Sequence, residues 1–265
     1  MQTLLPGKHN PRVIDLRKAI DGATLTRDGL LPIEGPKLLK EALRSNIEIL
    51  DVFLQRDIAP ELPQLSDRIR IFELDPATFR AIQTTETSQG VIALVRPPEY
   101  SLDRILSVKK PRIVILARLQ DPGNAGTILR IAEGFGATAC LGLTGTVSIY
   151  NSKTVRASAG SVFRMPHVWN LSLSDLVPEM RRSGIKIAGS SPTASNTVES
   201  WEWNKATAIL IGNEGGGLSE DEMRACDAML RIPHDPAVES LNSAISAAIF
   251  LYEASRGDRT REERR

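Results

Sequence analysis

The chain has 265 residues, of which 42% are hydrophobic and 25% are charged, and its formal net charge is +1. This composition suits one large or two modest globular domains and does not by itself indicate a nucleic-acid binder. No apolar run approaches the roughly 18 residues of a membrane span, the N-terminus lacks a signal-peptide core, and two cysteines make no disulfide framework or metal site. We therefore expect a cytoplasmic protein without membrane segment or metal.

Predicted helices and strands alternate over the first hundred residues. The helices are residues 10–20, 37–44 and 75–82, and the strands are residues 30–33, 48–54, 68–74 and 90–96. This alternation predicts a small α/β domain at residues 1–104. The Pro97-Pro98 pair and the polar stretch after it predict a linker, residues 105–111.

A second alternation covers residues 112–265 and predicts a second α/β domain. Its run at residues 113–117 is continuously apolar, which is typical of a strand covered on both faces. Further strands are predicted at residues 137–143, 185–188, 206–211 and 229–232, and helices at 127–135, 153–161, 174–183 and 241–255. The charged tail from residue 256 is predicted to fray.

Cations are concentrated in two tracts of the sequence. The first twenty residues contain a single carboxylate, and residues 134–174 contain none. The cations of the two tracts are Lys8, Arg12, Arg17, Lys18, Lys153, Arg156 and Arg164. A locally basic surface would fit a phosphate backbone, and scattered solvated cations would explain the pattern equally well.

Two glycine-rich loops bear on the function. Three consecutive glycines at residues 215–217 follow a predicted strand, and glycine lets a ligand approach the backbone closely. No Lys-Ser or Lys-Thr pair closes this loop, so it is not a Walker A loop. The sequence GFGATA at residues 134–139 matches a dinucleotide pattern but ends a helix and opens a strand, so we interpret it as a helix C-cap.

Five polar side chains follow predicted apolar strands. They are Asn124, Arg130, Glu214, Ser240 and Asn242. Each has an ordinary structural interpretation, for example Ser240 as the N-cap of the last helix and Arg130 as a surface charge. Together at neighbouring strand ends they predict a binding and catalytic site.

Three segments that carry these residues resemble the motifs of the SpoU, or TrmH, branch of the SPOUT RNA methyltransferases. They are NAGTILRIAEGFGA at residues 124–137, IGNEGGGLS at 211–219 and IPHDPAVESLNSAISAA at 232–248. The segment IEGPKLLKEAL at residues 33–43 is similar to the ribosomal-protein-like substrate domain of many members. The resemblance implies an α/β fold with a trefoil-knotted C-terminal methyltransferase domain and a small N-terminal RNA substrate-binding domain.

The resemblance also implies S-adenosylmethionine as cofactor, a homodimer, and methylation of a ribose 2′-hydroxyl in RNA. Carried over by position, Gly212, Ile232, Leu241 and Asn242 bind the cofactor. Arg130 is then the catalytic arginine, with Asn124, Glu214, Ser240 and Asn242 around it. Ile232 and Leu241 suit the two faces of an adenine, and glycine at position 212 would leave its edge open to the backbone. Asn213 is a departure from the family's glycine motif, and we assign it no role.

Two accounts of Arg130 stay open. The resemblance implies that it acts as a base once a phosphate engages it, although a guanidinium does not readily lose its proton in proteins. Alternatively, Arg130 grips the phosphate and stabilises the developing oxyanion. A full N-terminal domain favours ribosomal over transfer RNA as the substrate.

Two other function classes remain as alternatives. A non-catalytic RNA-binding protein would keep the basic surfaces without needing Asn124, Arg130, Glu214 and Asn242 together. A nicotinamide-dependent oxidoreductase would need a glycine fingerprint directly after a strand, and the candidate at residues 134–139 follows a helix.

Overall fold

The computed structural model describes residues 3–262, with side chains from residue 4 to residue 256. These residues form two units. The first unit contains the residues up to Glu99 together with Ser148–Arg164, and the second contains Tyr100–Val147 and the residues from Met165 onwards. The first unit thus includes a segment from the middle of the chain. The domain limits at residues 104 and 112 stay a prediction, which limited proteolysis would test.

The first unit is built on a five-stranded mixed sheet. Its elements are β1 (Thr3–Leu4), α1 (Pro11–Asp21), β2 (Leu31–Glu34), α2 (Pro36–Arg44), β3 (Ile49–Gln55), β4 (Arg70–Leu74), α3 (Pro76–Arg80) and β5 (Val91–Val95). The strand order is β1-β4-β3-β5-β2, so that β2 lies at one edge and β1 at the other. Each of the three helices begins with proline. Proline suits the first helical position because its fixed φ is helical and because an N–H at that position would have no partner within the helix.

The second unit begins with α4 (Leu102–Leu106), β6 (Arg112–Leu116), α5 (Pro122–Gly134) and β7 (Ala139–Leu143). The chain then contributes α6 (Ser152–Ala157) and a 3-10 turn at Ser161–Phe163 to the first unit. The remaining elements are β8 (His167–Leu171), α7 (Leu173–Arg182), β9 (Lys186–Ser190), β10 (Asn196–Thr197), a 3-10 turn at Val198–Ser200, β11 (Thr207–Ile211), α8 (Glu220–Ala225), β12 (Ala228–Arg231) and α9 (Ser243–Glu262).

All seven strands of the second unit are parallel, in the order β10-β12-β9-β11-β6-β7-β8. The central strands β6, β7 and β11 are buried along almost their whole length, as the apolar run at residues 113–117 predicts for a parallel sheet covered on both faces. Since the strands are parallel, the loops after β6, β11 and β12 leave at the same edge. The loop after β6 leads into α5, which carries the first motif, and the loops after β11 and β12 carry the second motif and most of the third. The expected α/β class is confirmed.

The structure corrects the prediction for the start of the last helix. Ser240 is not its N-cap. The side-chain Oδ1 of Asn242 accepts hydrogen bonds from the backbone N–H groups of Ala244 at 2.9 Å and Ile245 at 3.3 Å. Helix α9 therefore starts at Ser243, because the capping oxygen belongs to the residue immediately before it. It continues to Glu262 rather than fraying at residue 256, and the last three residues of the predicted tail lie outside the described residues.

Other differences concern short elements. The stretch predicted as a linker begins with the last two residues of α4, Ile105 and Leu106, which are buried in the core of the second unit. Strand β8 and helix α8 have no counterpart in the prediction, since β8 lacks a continuous apolar run and α8 has only six residues. Among the described helices, none combines the length and apolar character that a bilayer crossing requires.

Candidate active site

A cavity of about 350 Å³ lies at the carboxyl edge of the parallel sheet in the second unit. Its walls come from the ends of β9 and β11, the glycine loop at residues 212–217, and the loop between β12 and α9. Five predicted site residues line it: Gly212, Glu214, Ile232, Ser240 and Leu241. The volume falls within the roughly 300–1,000 Å³ of small-molecule sites.

A series of side-chain hydrogen bonds joins the three motifs beside this cavity. The Nδ2 of Asn124 donates to Oε1 of Glu214 at 3.1 Å, and Nδ2 of Asn242 donates to Oδ1 of Asn124 at 3.1 Å. The Glu214 carboxylate also accepts from the backbone N–H groups of Gln120 and Asp121, each at 3.3 Å. The fold thus brings together Asn124, Glu214 and Asn242, which the sequence separates by up to 118 residues.

Arg130 lies on α5, which begins with the turn that carries Asn124. Six residues along an α-helix correspond to about 9 Å of rise, and Arg130 is not among the residues that line the cavity. Its side chain is exposed and makes no hydrogen bond or ion pair with the described residues. The guanidinium is therefore available to an external partner.

Glycine is required at position 212 for a different reason from the one that the sequence suggests. A Cβ there would lie 2.4 Å from the carbonyl carbon of Gly217 and 2.7 Å from the backbone nitrogen of Leu218. The glycine loop folds back onto its own strand end, with Gly217 at φ +62°. Glycine is thus required at position 212 by the backbone of the loop itself, whereas the sequence suggests that it leaves room for a ligand.

Asn213, which sequence reasoning gives no role, holds this loop in shape. Its Oδ1 accepts hydrogen bonds from the backbone N–H groups of Gly215 at 2.9 Å and Gly216 at 3.3 Å. Its Nδ2 donates to the carbonyl of Arg118 at 2.8 Å. An Asn side chain that bonds the backbone two residues ahead is a recognised turn signal, so the sequence contained this information.

Arg118 and Glu222 form a second contact that the sequence does not reveal. The guanidinium donates to both carboxylate oxygens, Nε to Oε1 at 2.9 Å and Nη2 to Oε2 at 2.8 Å, and Nη2 also reaches the carbonyl of Gly217 at 3.4 Å. Burial alone would raise the pKa of Glu222, but the bonds from Arg118 and Ser219 outweigh it and lower that pKa. Hydrogen bonding to Glu222 in turn raises the pKa of Arg118.

Helix α8 places Glu222 through a capping box. Ser219 accepts from the backbone N–H of Glu222, whose Oε2 accepts in turn from the backbone N–H of Ser219 at 2.6 Å. The spacing Ser-x-x-Glu is the sequence signature of such a box. It would have revealed the start of α8, although not the arginine that its glutamate binds.

The last cavity residue of note is Ser243, at the first position of α9. Its side chain is buried, and its Oγ has no hydrogen-bond partner among the described residues. A buried hydroxyl without a partner is costly and calls for an explanation. Because Ser243 lines the cavity, a polar group of a bound ligand would supply that partner.

Neither cysteine is suited to act as a nucleophile. Burial raises the pKa of the Cys140 thiol far above its ordinary value, and burial together with Asp227 and Glu222 raises that of Cys226 to about 12. The thiolate is the reactive form of cysteine. Within the described part of the chain, no group of three or more His, Cys, Asp or Glu side chains is arranged to hold a metal ion.

Comparisons with known proteins agree with this geometry. Residues 111–252 match the SpoU rRNA Methylase family, and residues 10–93 match the MRM3-like substrate binding domain. The chain is 31% identical to the 23S rRNA (guanosine(2553)-2′-O)-methyltransferase RlmP of Bacillus subtilis (strain 168), over 92% of this chain and 95% of that protein.

Two solved structures share the whole fold. The SpoU methyltransferase AviRb from Streptomyces viridochromogenes, in complex with the cofactor AdoMet, is 26% identical with a TM-score of 0.80 and covers 95% of this chain and 100% of its own. The AdoMet-bound rRNA methyltransferase from Sinorhizobium meliloti is 26% identical with a TM-score of 0.81, covering 97% and 99%. The expected family, activity and cofactor are confirmed. The chain belongs to the SpoU family of RNA 2′-O-ribose methyltransferases, which take the methyl group from S-adenosylmethionine.

Proposed function

We propose that this protein methylates a ribose 2′-hydroxyl of ribosomal RNA at the carboxyl edge of the parallel sheet in its second unit. The observation that carries the proposal is the hydrogen-bonded series Glu214–Asn124–Asn242 beside the cavity. The names of the B. subtilis and S. meliloti relatives support ribosomal over transfer RNA, as does the full N-terminal unit. A non-catalytic RNA-binding protein would have no use for this series.

S-adenosylmethionine fits the cavity of the second unit. Ile232, Leu241 and Leu218 give it an apolar wall suited to an adenine, and the unpartnered hydroxyl of Ser243 adds a buried polar group that a ligand would satisfy. When bound, S-adenosylmethionine supplies an electrophilic methyl group. In this proposal Gly212, Ile232, Leu241 and Asn242 hold the cofactor, as the family resemblance implies.

Methyl transfer would form a bond between the ribose 2′-oxygen and the methyl carbon and break the bond from that carbon to the sulfonium sulfur, which leaves as a neutral thioether, while the hydroxyl proton passes to solvent water. We assign Arg130 to the phosphate next to the target ribose, where its fork of N–H donors binds the phosphate oxygens and stabilises the developing negative charge. Its exposure and lack of a partner among the described residues support contact with an external anion. The account in which Arg130 itself takes the proton stays open.

Glu214, Asn124, Ser240 and Asn242 are assigned to the same centre. Both oxygens of Glu214 already accept hydrogen bonds, from Asn124 and two backbone N–H groups. We therefore infer that Glu214 positions Asn124, and that Asn124 in turn positions Asn242 and the start of α9. Ser240 lines the cavity near this start.

A homodimer is part of the proposal. Ile245 is 53% exposed and Tyr252 is 45% exposed on α9, seven residues apart and so on the same side of the helix. Exposed apolar side chains on one helix face are typical of a subunit interface. Light scattering of the wild type and of Ile245→Asp tests this: the wild type should have twice the chain mass, and the variant should approach one chain.

The knotted path and the cytoplasmic location are also retained as proposals. The glycine loop folds back tightly on the end of β11, and α9 packs against α5 and β11. The knotted path itself is proposed from the family resemblance. The two free cysteines are consistent with a reducing compartment.

The deciding experiment is transcript-wide mapping of ribose methylation in cells with and without this protein. We expect loss of methylation at a ribosomal RNA position, restored by the wild-type gene and not by Arg130→Ala. Loss at a transfer RNA position would replace the substrate assignment, and no loss at any position would refute the proposed reaction. Purified protein with radiolabelled S-adenosylmethionine should then modify the same RNA.

A further inference from the structure

A second cavity, in the first unit, is lined by cations. It has a volume of about 430 Å³ and lies between the start of α2 and the segment that contains α6. Four basic side chains line it, namely Lys37, Lys40, Arg44 and Arg156. Of these, Arg156 comes from the segment that the chain contributes from its middle. We name these residues the basic cleft.

The three cations of α2 form one stripe. Positions 37, 40 and 44 follow the three- and four-residue spacing of a single helix face, and Leu38, Leu39 and Ala42 are buried on the other side. The stripe extends over about 10 Å of helix, at 1.5 Å per residue. Cations repeated over that length suit a polyanion with several charges better than a single small anion.

Two acidic side chains, Glu34 and Glu41, also line the cleft, and both are already engaged. Glu41 accepts from Arg44 at 3.0 Å and from Arg164 at 2.9 Å. Glu34 is buried and accepts from the backbone N–H of Thr84 and the hydroxyl of Thr85, each at 2.7 Å. Lys37 and Lys40 are exposed and make no ion pair with the described residues. The positive charge of the cleft is therefore not cancelled within this unit.

The segment from the middle of the chain closes one side of the cleft. A Cβ at Gly160 would lie 2.7 Å from the Cβ of Glu41, so this segment rests directly on α2. Gly160 also has φ +94°, which other residues rarely adopt. Arg156 donates to the hydroxyl of Thr84, which aligns its guanidinium at the cleft wall.

We propose that the basic cleft binds the phosphate backbone of the RNA substrate, and that Arg156, which lies outside the region matched as a substrate-binding domain, is part of this binding surface. The inference rests on the proposed function for the class of its partner. Phosphates bound here would contribute affinity without reading the sequence. An acidic segment of a partner protein is the competing occupant, and the test separates the two.

The test measures RNA affinity against salt for the full-length protein, by fluorescence anisotropy with a fluorescein-labelled oligouridine. For Lys37→Gln/Lys40→Gln we expect about tenfold weaker binding at low salt and a log K against log salt slope reduced by about 1.4, or 0.7 per lost contact. Both side chains are exposed, so the melting temperature should not change. S-adenosylmethionine affinity, measured by calorimetry, should also stay the same.

The matched control is Arg68→Gln/Arg80→Gln. It removes the same charge from the same unit, near β4 and the opposite edge of the sheet from β2. Its affinity should stay within about twofold of the wild type, and its log K against log salt slope should be unchanged. For Arg156, the Gln variant should lower the slope and the Lys variant should restore it, because a phosphate contact depends on the positive charge, which only the Lys variant keeps.

An unchanged slope in Lys37→Gln/Lys40→Gln, or an equal loss in the control, overturns the inference. The inference is also overturned if polyglutamate displaces the labelled oligouridine as strongly as unlabelled oligouridine does. That result would favour an acidic protein partner. Methylation assays distinguish this failure from failure of the proposed function. With the cleft neutralised, kcat at saturating ribosomal RNA should persist while KM for RNA rises; if the wild type methylates no RNA, the proposed function fails instead.

Discussion

The guanidinium of Arg118 and the carboxylate of Glu222 face each other with two parallel hydrogen bonds, at 2.9 and 2.8 Å, across 104 residues of sequence. Arg118 adopts φ +55°, in the left-handed region, which costs about 1–3 kcal/mol for a residue other than glycine. Its own carbonyl accepts from Asn213. The pair and this bond together hold the loop after β6 against the glycine loop.

Removal of the charge on Glu222 should loosen the glycine loop. In Glu222→Gln the capping box can persist, because glutamine also serves at that position, but the bidentate ion pair is lost. We expect a loss of unfolding free energy of about 1–3 kcal/mol and a several-fold weaker affinity for S-adenosylmethionine. Denaturant unfolding and calorimetry measure the two effects. Glu220→Gln, an exposed site on the same helix with an ion pair at 3.5 Å, is the control and should change neither.

The pH dependence of stability should report the same pair. Because the pKa of Glu222 is lowered in the folded protein, its contribution is complete above the ordinary value of 4.5 and disappears as the pH falls through the lowered value. The difference in unfolding free energy between the wild type and Glu222→Gln should therefore be constant near neutral pH and shrink below about pH 4.5. A difference that grew in acid would contradict this assignment.

A side chain at position 212 should disrupt the cofactor site. In Gly212→Ala the new Cβ would meet the backbone of Gly217 at 2.4 Å, and backbone atoms cannot move aside as a flexible side chain can. We expect the glycine loop to shift and S-adenosylmethionine binding to fall by at least tenfold, or about 1.4 kcal/mol. Gly216→Ala, where nothing lies within 4 Å, should keep the wild-type melting temperature. Equal melting temperatures and affinities for wild type and Gly212→Ala would exclude the proposed close approach.

The hydroxyl of Ser243 should contribute to cofactor affinity. In Ser243→Ala a ligand group would lose its partner, which costs about 1 kcal/mol, or several-fold in Kd. The free protein should be as stable as the wild type or slightly more so, since an unpartnered buried hydroxyl is removed. Ser255→Ala on the same helix is the control for cofactor affinity, which it should leave unchanged. Its hydroxyl already donates to the carbonyl of Tyr252 at 2.8 Å. Unaltered cofactor affinity in Ser243→Ala would remove this residue from the site.

Substitution of Arg130 should abolish catalysis without affecting the fold. Since the side chain is exposed, Arg130→Ala should melt as the wild type does and should bind S-adenosylmethionine normally. We expect kcat to fall by about 100-fold or more, the effect of removing a donor to a developing oxyanion. Arg130→Lys should also fail, because an ammonium cannot replace a bidentate fork. Near-normal turnover of Arg130→Ala in a radiolabel assay would refute the role assigned to it.

Patterns local in the sequence predicted most of the elements well. The apolar runs at residues 113–117 and 206–211 correspond to buried parallel strands, because a strand covered on both faces must be apolar throughout. The GFGATA segment ends α5 and leads into β7, as its position after a helix indicates. The N-cap of α9 was predicted wrongly, because Ser240 and Asn242 are both good caps and sequence alone does not choose between them.

The sequence by itself determined the three motifs, because these depend on residue types at fixed local spacing, and the resemblance that the motifs carry implied the family and the cofactor. Tertiary structure alone decided which distant side chains meet: Arg118 with Glu222, Asn242 with Asn124, and the middle segment with α2 through Gly160. For the first two of these contacts, the physical reason is the strand order of the parallel sheet. Parallel strands that are not consecutive in the chain bring their following loops to one edge, and no local pattern encodes which loops become neighbours.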